Sequence, residues 1–330
     1  MQRMIESARA SITAIGSYVP ERVLTNAHME ALVDTSHEWI VKRTGIVERR
    51  AAAADEYASD LSIAAVRDLI ARYPVTLEDV DYILVATSTP DTIVPSVASR
   101  VQAAFHIKNC GVLDVQAACA GFVSALHTAA GLLASRICRK ILVIGAETLT
   151  KVTDYTDRST CILFGDGAAA VLVEAEQQDS FLATYTATEG EGGHHVYCSH
   201  LSEHIGSQPI HSTGKLIQNG REVYKWAVTR VSEGIAKLLK QQELETGDID
   251  WFIPHSANLR MIEAICERTG ITMEQTLHSL VHYGNTSAAS IPLALDMGIR
   301  EGKVQKDDLL LLYGFGGGLT QAALLLRWAL

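Results

Sequence analysis

Two distant segments of this sequence share one pattern, and that repeat limits the folds open to the chain. Residues 79–86 read DVDYILVA and residues 248–255 read DIDWFIPH, so each places an acidic turn before a short apolar strand. Each also follows a stretch with helical spacing of apolar residues, at 59–73 and at 223–239. Strands that alternate with helices imply an α/β protein with parallel sheets buried on both faces.

A second pair of segments follows in the same order. Cys119 opens a helical pattern that leads to the apolar strand 140–145, and Asn285 opens a Ser/Ala-rich helix that leads to the strand 308–314. The sequence therefore predicts two copies of one α/β unit joined near residue 180, with domains 1–180 and 181–330. A repeat of this length indicates gene duplication rather than a solenoid, whose units have about 20–50 residues.

The duplication predicts where a site lies, because ligands of open α/β sheets bind at the carboxyl ends of strands. Ala86 and His255 are predicted at equivalent strand ends, and Cys119 and Asn285 at equivalent helix starts. A two-fold arrangement of the halves then brings Cys119, His255 and Asn285 together. Taken singly, each residue also fits a structural role: an inert core cysteine, a hydrogen-bonded histidine and a helix N-cap.

The segment 114–122, DVQAACAGF, carries the most reactive of these side chains. At a strand-to-helix corner the first N–H groups of the helix have no partner, and the helix dipole favours a thiolate over a thiol. We therefore expect Cys119 to be reactive. The glycine run 314–318, GFGGG, lacks the ending of a phosphate-binding loop and instead suits backbone N–H groups that face a ligand oxygen.

Composition excludes several classes of function. The 330 residues carry a formal net charge of −10, which argues against nucleic acid as the main partner. Residues 1–9 lack the apolar core of a signal peptide, and no apolar run is long enough to span a bilayer. The six cysteines form no CxxC pair. We therefore expect a cytoplasmic protein with reduced thiols and no membrane partner.

A histidine-rich stretch at 192–200, GGHHVYCSH, with His204 and His211 beyond it, is the strongest candidate for a metal site. Its spacing fits no closed zinc pattern. We expect a surface loop and no metal.

Several motifs, in this order, resemble those of the thiolase superfamily and, within it, the β-ketoacyl-(acyl carrier protein) synthase III family, most of all its Gram-positive, Bacillus-type members. They are residues 34–46 (DTSHEWIVKRTGI), the Cys119 segment, 156–160 (TDRST) with 163–167 (LFGDG), and the segments of His255, Asn285 and 314–318. The resemblance runs from about residue 12 to the end of the chain. It implies a homodimer of thiolase-fold chains, each with two duplicated βαβ-type halves whose central sheets are layered between helices.

The resemblance implies a decarboxylative Claisen condensation that initiates fatty acid synthesis. An acyl-CoA primer, acetyl or short branched, would react with malonyl-acyl carrier protein to give β-ketoacyl-acyl carrier protein, CoA and CO₂. Cys119 would be the nucleophile, and His255 and Asn285 would bind the malonyl thioester carbonyl and stabilise the enolate. The N–H groups of Cys119 and Gly317 would form the oxyanion hole. Coenzyme A enters as a thioester substrate, and no metal or other cofactor is implied.

The resemblance also implies a coenzyme A tunnel. Trp39 and Arg158 would stack on the adenine, with Arg43 near the phosphates. The tunnel positions are matched by Thr35, Gly220, Tyr224 and Ala257, with Asn258 on the pantetheine side.

The resemblance also implies two functional surfaces. Arg260 would dock the carrier protein, within a basic area that also includes Arg221, Lys225 and Lys237. Relatives commonly carry an aromatic residue where this chain has Val94, and the partner subunit's copy would wall the acyl pocket. We therefore expect branched or longer primers to be accepted beside acetyl.

Two alternatives stay open at this point. One is another condensing enzyme of the superfamily, either hydroxymethylglutaryl-CoA synthase-like or a polyketide or secondary-metabolite ketosynthase. The aldol-type relatives use a glutamate base that is not evident here. The other is a non-catalytic scaffold that binds acyl-CoA, and such a protein would need neither Cys119 nor the glycine run.

Overall fold

The structure, a computed structural model, describes residues 10–175 and 180–330. Residues 1–9, on which the expectation about a signal peptide depends, lie outside the described residues, as do residues 176–179 beside the predicted domain boundary. Across the two described ranges, no helix is both long enough and apolar enough to cross a membrane.

The described ranges contain fifteen strands and nine α-helices. The strands are β1 Ala10–Tyr18, β2 Val23–Thr25, β3 Glu48–Arg50, β4 Tyr82–Ala86, β5 Gly111–Val115, β6 Lys140–Thr148, β7 Asp166–Ala175, β8 Phe181–Thr188, β9 Val196–Cys198, β10 His204–Ile205, β11 Gln208–Pro209, β12 Leu216–Gln218, β13 Trp251–Pro254, β14 Leu309–Gly316 and β15 Thr320–Arg327. The helices are α1 Asn26–Glu30, α2 His37–Thr44, α3 Ala58–Arg72, α4 Val97–Ala104, α5 Gly121–Ala134, α6 Gly220–Gln241, α7 Leu259–Thr269, α8 Leu280–Tyr283 and α9 Ser290–Arg300.

The first central sheet has the strand order β1-β7-β6-β4-β5. Strands β6, β4 and β5 are parallel, whereas β7 runs antiparallel to both β6 and β1. The expectation of purely parallel sheets was wrong. The segment 149–165, which joins β6 to β7, contains a 3₁₀ turn, Leu149–Lys151, but no α-helix, whereas a parallel crossover usually runs through an α-helix.

The second central sheet repeats this arrangement with the order β13-β14-β15-β8. Strands β13 and β14 are parallel, and β15 is antiparallel to both β14 and β8. Where the first sheet has β5, the second has a single parallel bridge between Phe252 and Thr276. The strand order and directions are thus the same in both sheets, while the domain limits and the origin by duplication stay predictions.

Helices α5 and α9 lie between the two sheets. One buried cluster joins Phe122 of α5 and Ile291 of α9 to Val143 in the first sheet and Leu312 in the second. Helix α3 covers the outer face of the first sheet, and α6 and α7 cover that of the second. The layered thiolase fold predicted from the sequence is confirmed, and the loops around α5 and α9 meet at its centre.

Candidate active site

A cleft with a cavity volume of about 70 Å³ opens between the two halves. Six of the residues predicted from the sequence line it: Cys119, His255, Ala257, Asn258, Asn285 and Gly317. Its walls are mostly apolar and include Phe164, Val223, Met261 and Phe315. The predicted nucleophile and its two predicted polar partners therefore share one largely dry space.

Cys119 lies in a 3₁₀ turn, Ala118–Ala120, between β5 and α5. The turn begins in a strained conformation, since φ of Ala118 is +45°. The end of β14 packs directly against it: a Cβ on Gly316 would lie 2.9 Å from both the Cβ and the Sγ of Cys119. Glycine is required there because a side chain would displace the thiol.

The thiol is not predisposed to ionise, which corrects the expectation of a lowered pKa. Burial and, to a smaller extent, the nearby charge of Glu147 together raise the pKa of Cys119 to about 12. Hydrogen bonding by Ser287 and by the backbone N–H groups of Cys119 and Gly317 opposes that rise without overcoming it. The dipole at the start of α5 is therefore outweighed by desolvation, and the thiol needs a proton acceptor when it attacks.

His255 follows the last residue of β13 and is 2% exposed. Its Nδ1 lies 2.8 Å from Oγ of Ser290, and its ring meets Phe315 edge-on at 5.4 Å between centroids. Burial lowers the pKa of His255 to about 3, so the imidazole is neutral at physiological pH. Because Nδ1 is held by Ser290, Nε2 is the ring nitrogen available to a ligand in the cleft.

Asn285 is fixed by its own backbone. Its N–H donates to the carbonyl of Leu163 at 2.8 Å, and its carbonyl accepts from the N–H of Gly165 at 3.1 Å. The side-chain Oδ1 accepts from the N–H of Ser287 at 2.9 Å, so the amide NH₂ is the end left to a ligand. Asn285 therefore offers hydrogen-bond donors to the cleft.

The predicted equivalence of Cys119 and Asn285 was wrong. A 3₁₀ turn, Ser287–Ala289, precedes α9 as the turn Ala118–Ala120 precedes α5, so the counterpart of Cys119 is Ala288. Asn285 lies two residues before that turn and does not open the helix. It still reaches the cleft because its backbone pairs with the 163–165 segment.

Other predicted residues do not line the cleft. The Arg158 guanidinium lies 4.8 Å from the ring centroid of Trp39, and Arg158 is 3.9 Å from Asp34. The Thr35 hydroxyl is buried and has no hydrogen-bond partner among the described residues. Arg43 is exposed near the end of α2. These residues come from α2, the segment before it and the 156–160 segment.

Helices α6 and α7 contribute Val223 and Met261 to the wall of the cleft. Gly220 begins α6, and Tyr224 on its second turn is 38% exposed beside Val223, which lines the cleft. Arg260 donates from Nε to the carbonyl of Lys42 at 2.9 Å, which ties α7 to α2. These contacts hold the rim of the cleft together.

The remaining predicted residues do not line the cleft, although Val196 of the histidine-rich stretch does. Val94 is 83% exposed on the chain surface. Lys225 pairs with Glu222 at 2.8 Å, and Lys237, further along α6, lies 6.0 Å from the ring centroid of Tyr185. The histidine-rich stretch forms a 3₁₀ turn, Gly190–His195, followed by β9. No group of three or more metal-ligating side chains is found in the described ranges.

Four polar residues near the thiol were missed by the sequence analysis. Ser88 and Ser287 line the cleft, Ser290 holds His255, and Glu147 is fully buried behind Ser287. One signal was available: Glu147 is an acidic residue at the end of the apolar strand 140–145, where a charge is unusual.

The chain was compared with known proteins. Family models described as 3-oxoacyl-[acyl-carrier-protein] synthase III and its C-terminal part match residues 113–190 and 239–328. It is 59% identical over 322 residues to β-ketoacyl-[acyl-carrier-protein] synthase III 2 of Halalkalibacterium halodurans, covering 97% of each chain. It is 53% identical over 324 residues to the protein of that name in Bacillus subtilis, covering 98% of this chain and 100% of the relative.

The chain belongs to the β-ketoacyl-(acyl carrier protein) synthase III family. The fold agrees: the Thermus thermophilus β-ketoacyl-[acyl carrier protein] synthase III has a TM-score of 0.93 at 43% identity, covering 97% of this chain and 99% of that one. The resemblance stated from the motifs is thereby confirmed, and the chain is an acyltransferase of the condensing type. The roles of individual residues are argued from the geometry of the cleft.

Proposed function

We propose that this synthase condenses an acyl-CoA primer with malonyl-acyl carrier protein, releasing CoA and CO₂ and starting a fatty acid chain. The observation that carries the proposal is that Cys119, His255 and Asn285 line one cleft, with the Asn285 amide donors left unused. In the first half-reaction Cys119 takes the acyl group. Two N–H groups, those of Cys119 and Gly317, already converge on the sulfur and suit the oxyanion of the tetrahedral intermediate.

In the second half-reaction charge develops on the thioester oxygen of malonyl as CO₂ leaves. The Asn285 NH₂ and a neutral His255 would share that oxygen in an apolar cleft, where each hydrogen bond is strong. His255 donates from Nε2 only if the Ser290 hydroxyl donates to Nδ1, so this hydroxyl must turn away from the carbonyl of Ser287, to which it donates at 2.8 Å. This chemistry calls for no metal and no cofactor beyond the coenzyme A of the substrate.

The primer would enter past Trp39 and Arg158, with its adenine between them. At 4.8 Å the two side chains now stack on each other, whereas an inserted ring needs about 7 Å, twice the contact distance between carbon atoms. Arg158 would therefore swing outward when coenzyme A binds. Arg43 would meet the phosphates, Thr35, Gly220, Tyr224 and Ala257 the rest of the tunnel, and Asn258 the pantetheine.

We also propose a cytoplasmic homodimer. Strand β5 is an edge of its sheet, pairs only with β4 and exposes 45% of Leu113. A second copy paired along this edge would cover it and would place Val94 against the partner's cleft. The acidic carrier protein would approach Arg260, Arg221 and Lys225, with Lys237 at the far end of the same helix.

The aldol-type alternative is disfavoured by one observation. Among the described residues that line the cleft there is no aspartate or glutamate, so no carboxylate is placed to take a proton from a substrate carbon. Glu147 is buried behind Ser287 rather than exposed to the cleft.

The test is the intact mass of the protein after mixing with acetyl-, isobutyryl-, isovaleryl- or hexanoyl-CoA, followed by malonyl-acyl carrier protein. We expect an acyl-sized gain that is absent in Cys119→Ala and is discharged as β-ketoacyl product when malonyl-acyl carrier protein is added. No gain with any primer from folded protein would favour the binding scaffold. A gain with acetyl-CoA alone would contradict the role given to Val94.

A further inference from the structure

Glu147 is a buried carboxyl group with no counter-charge. It is 0% exposed at the end of β6, and in the described part of the chain neither Lys nor Arg pairs with it. Its oxygens accept from the N–H of Ser88 at 3.1 Å each and from the Thr89 hydroxyl at 2.8 Å. Burying an ionisable group in this way costs free energy, so a position of this kind calls for a functional explanation.

The turn before α9 brings Glu147 within reach of the nucleophile. Strand β6 carries Gly145 where a Cβ would lie 2.6 Å from the carbonyl oxygen of Ala288, so the glycine lets the turn Ser287–Ala289 lie directly on the strand. The same turn packs against the 118–120 turn, and hydrogen bonding by the Ser287 hydroxyl lowers the pKa of both the Glu147 carboxyl and the Cys119 thiol. Ser287 is held with φ at +47°, a strained value for a residue other than glycine.

We propose that Glu147 holds the proton of Cys119 during acyl transfer, with the Ser287 hydroxyl as the bridge. The inference deepens the proposed function and rests on it. Glu147 acts through Ser287 and is a positioning residue, since it does not reach the substrate.

The step balances in protons and electrons. As the sulfur lone pair of Cys119 forms the bond to the thioester carbon, the thiol proton passes to Oγ of Ser287, and the Ser287 proton passes to the Glu147 carboxylate. The tetrahedral intermediate then breaks its bond to the CoA sulfur, which leaves with the electron pair. The proton returns from Glu147 through Ser287 to that sulfur, giving CoA thiol and restoring the carboxylate.

The groups around Glu147 fit this role. Cys119 is the titratable side chain whose pKa responds to the charge of Glu147. Burial raises the pKa of Glu147 to about 7, so near neutrality it both accepts and releases a proton.

The test compares acyl transfer from acetyl-CoA to Cys119 in single turnovers, followed by intact mass from pH 5.5 to 9.5. In the wild type we expect the rate to rise through about pH 7, as Glu147 ionises. Glu147→Gln should lower the rate at pH 7.5 by about 10²-fold and remove that inflection, since a general base contributes about 10²–10⁴-fold. Ser287→Ala should have the same effect, and the double variant should be no slower than either single one.

Two controls separate this role from a structural one. Asp166 is a matched buried carboxyl: it is 0% exposed and accepts from the N–H groups of Ala52 and Thr150 at 2.8 Å each. Asp166→Asn should leave the inflection in place. Decarboxylation of malonyl-acyl carrier protein in a Cys119→Ala background should be the same with and without Glu147→Gln, because it needs no thiol proton.

The outcomes distinguish the two proposals. Wild-type protein that takes no acyl group overturns the proposed function and the relay with it. Wild-type protein that is acylated, with Glu147→Gln or Ser287→Ala keeping the same rate and inflection, overturns the relay alone. Loss of the inflection in Asp166→Asn as well would overturn it too, since the effect would then come from burial in general. If Glu147→Gln does not fold, Ser287→Ala decides the matter.

Discussion

Desolvation keeps three side chains in and around the cleft from their charged forms: those of Cys119, His255 and Glu147. Desolvation raises the pKa of the two acids and lowers that of the base, so the resting cleft tends to hold a thiol, a neutral imidazole and a carboxyl near its midpoint. A dry, uncharged cleft strengthens the donors that later meet an oxyanion. The cost is a nucleophile that does not ionise by itself.

The burial of Glu147 predicts a pH-dependent difference in the free energy of unfolding between the wild type and Glu147→Gln. Burial raises the pKa of Glu147 from 4.5 to about 7. The stability that the protonated carboxyl contributes is therefore fully present below pH 4.5 and is lost as pH rises through 7. Glutamine stays neutral throughout. We therefore expect Glu147→Gln to gain about 3 kcal/mol relative to the wild type between pH 4.5 and pH 8, since each pKa unit is worth about 1.4 kcal/mol.

Urea unfolding at a series of pH values measures this difference. The matched variant Asp166→Asn should show the same trend at lower pH, because burial raises the pKa of Asp166 from 3.8 to about 6. A flat difference for Glu147→Gln would contradict the buried, unpaired state of the carboxyl. A variant that is more stable yet transfers acyl groups more slowly would show stability given up for function.

At the scale of elements, the glycine-rich end of β14 positions the nucleophile by what it lacks. A Cβ on Gly314 would lie 2.7 Å from the Cα of Ala120, and one on Gly316 would lie 2.9 Å from the Sγ of Cys119. Both contacts are closer than carbon and sulfur atoms approach. The strand can support the 3₁₀ turn of Cys119 only while these positions carry no side chain.

Gly316→Ala should therefore lower the rate of acyl transfer to Cys119 by at least 10-fold, because the methyl group displaces the thiol and shifts the N–H of Gly317. Intact mass against time gives the rate. The matched control is Gly131→Ala in α5, where a Cβ would meet nothing within 4 Å. That variant should keep full activity and gain about 0.5–1 kcal/mol, as alanine does over glycine inside a helix. Equal rates for the two variants would contradict the close packing.

The ends of elements can be recognised in the sequence where the signal is local. Helix α2 begins after Ser36, whose hydroxyl accepts from the N–H of Trp39, and ends at Gly45 with φ at +78°, as the capping residues indicate. The predictions that failed concern the connections between strands and helices. The antiparallel direction of β7 follows from a connection without an α-helix, and the start of α9 follows from a 3₁₀ turn that apolar spacing does not reveal.

The residues of the site also fall into those that the sequence could predict and those that it could not. Cys119, His255 and Asn285 could be identified because each stands at the end of a readable strand or before a helix. Glu147 and Ser287 could not, because their proximity to the thiol depends on how closely a turn lies against β6 at Gly145. The pKa of Cys119 was predicted in the wrong direction for the same reason: a dipole can be inferred from sequence, but the degree of desolvation depends on packing.

At the scale of the whole molecule, the exposed edge of the first sheet links assembly to the acyl pocket. Asp114 of β5 accepts from the N–H groups of Val97 and Ala98 at 2.8 and 2.9 Å, so the start of α4 is fixed to this edge. The loop before α4 carries Ile93 and Val94, which are 69% and 83% exposed. An apolar loop beside an apolar edge strand presents a surface that a second copy would cover.

Leu113→Lys should therefore separate the proposed dimer, because a lysine at the centre of β5 would place two like charges across the pairing strands. Light scattering during size exclusion should give twice the chain mass of 35.8 kDa for the wild type and 35.8 kDa for the variant. Ile137→Lys, at a site 68% exposed elsewhere on the surface, should leave the larger mass unchanged. The separated chains should also discriminate less between hexanoyl- and acetyl-CoA, since Val94 of the partner subunit would no longer bound the pocket. A wild-type protein of 35.8 kDa that still discriminates between these primers would show that one chain forms the whole pocket.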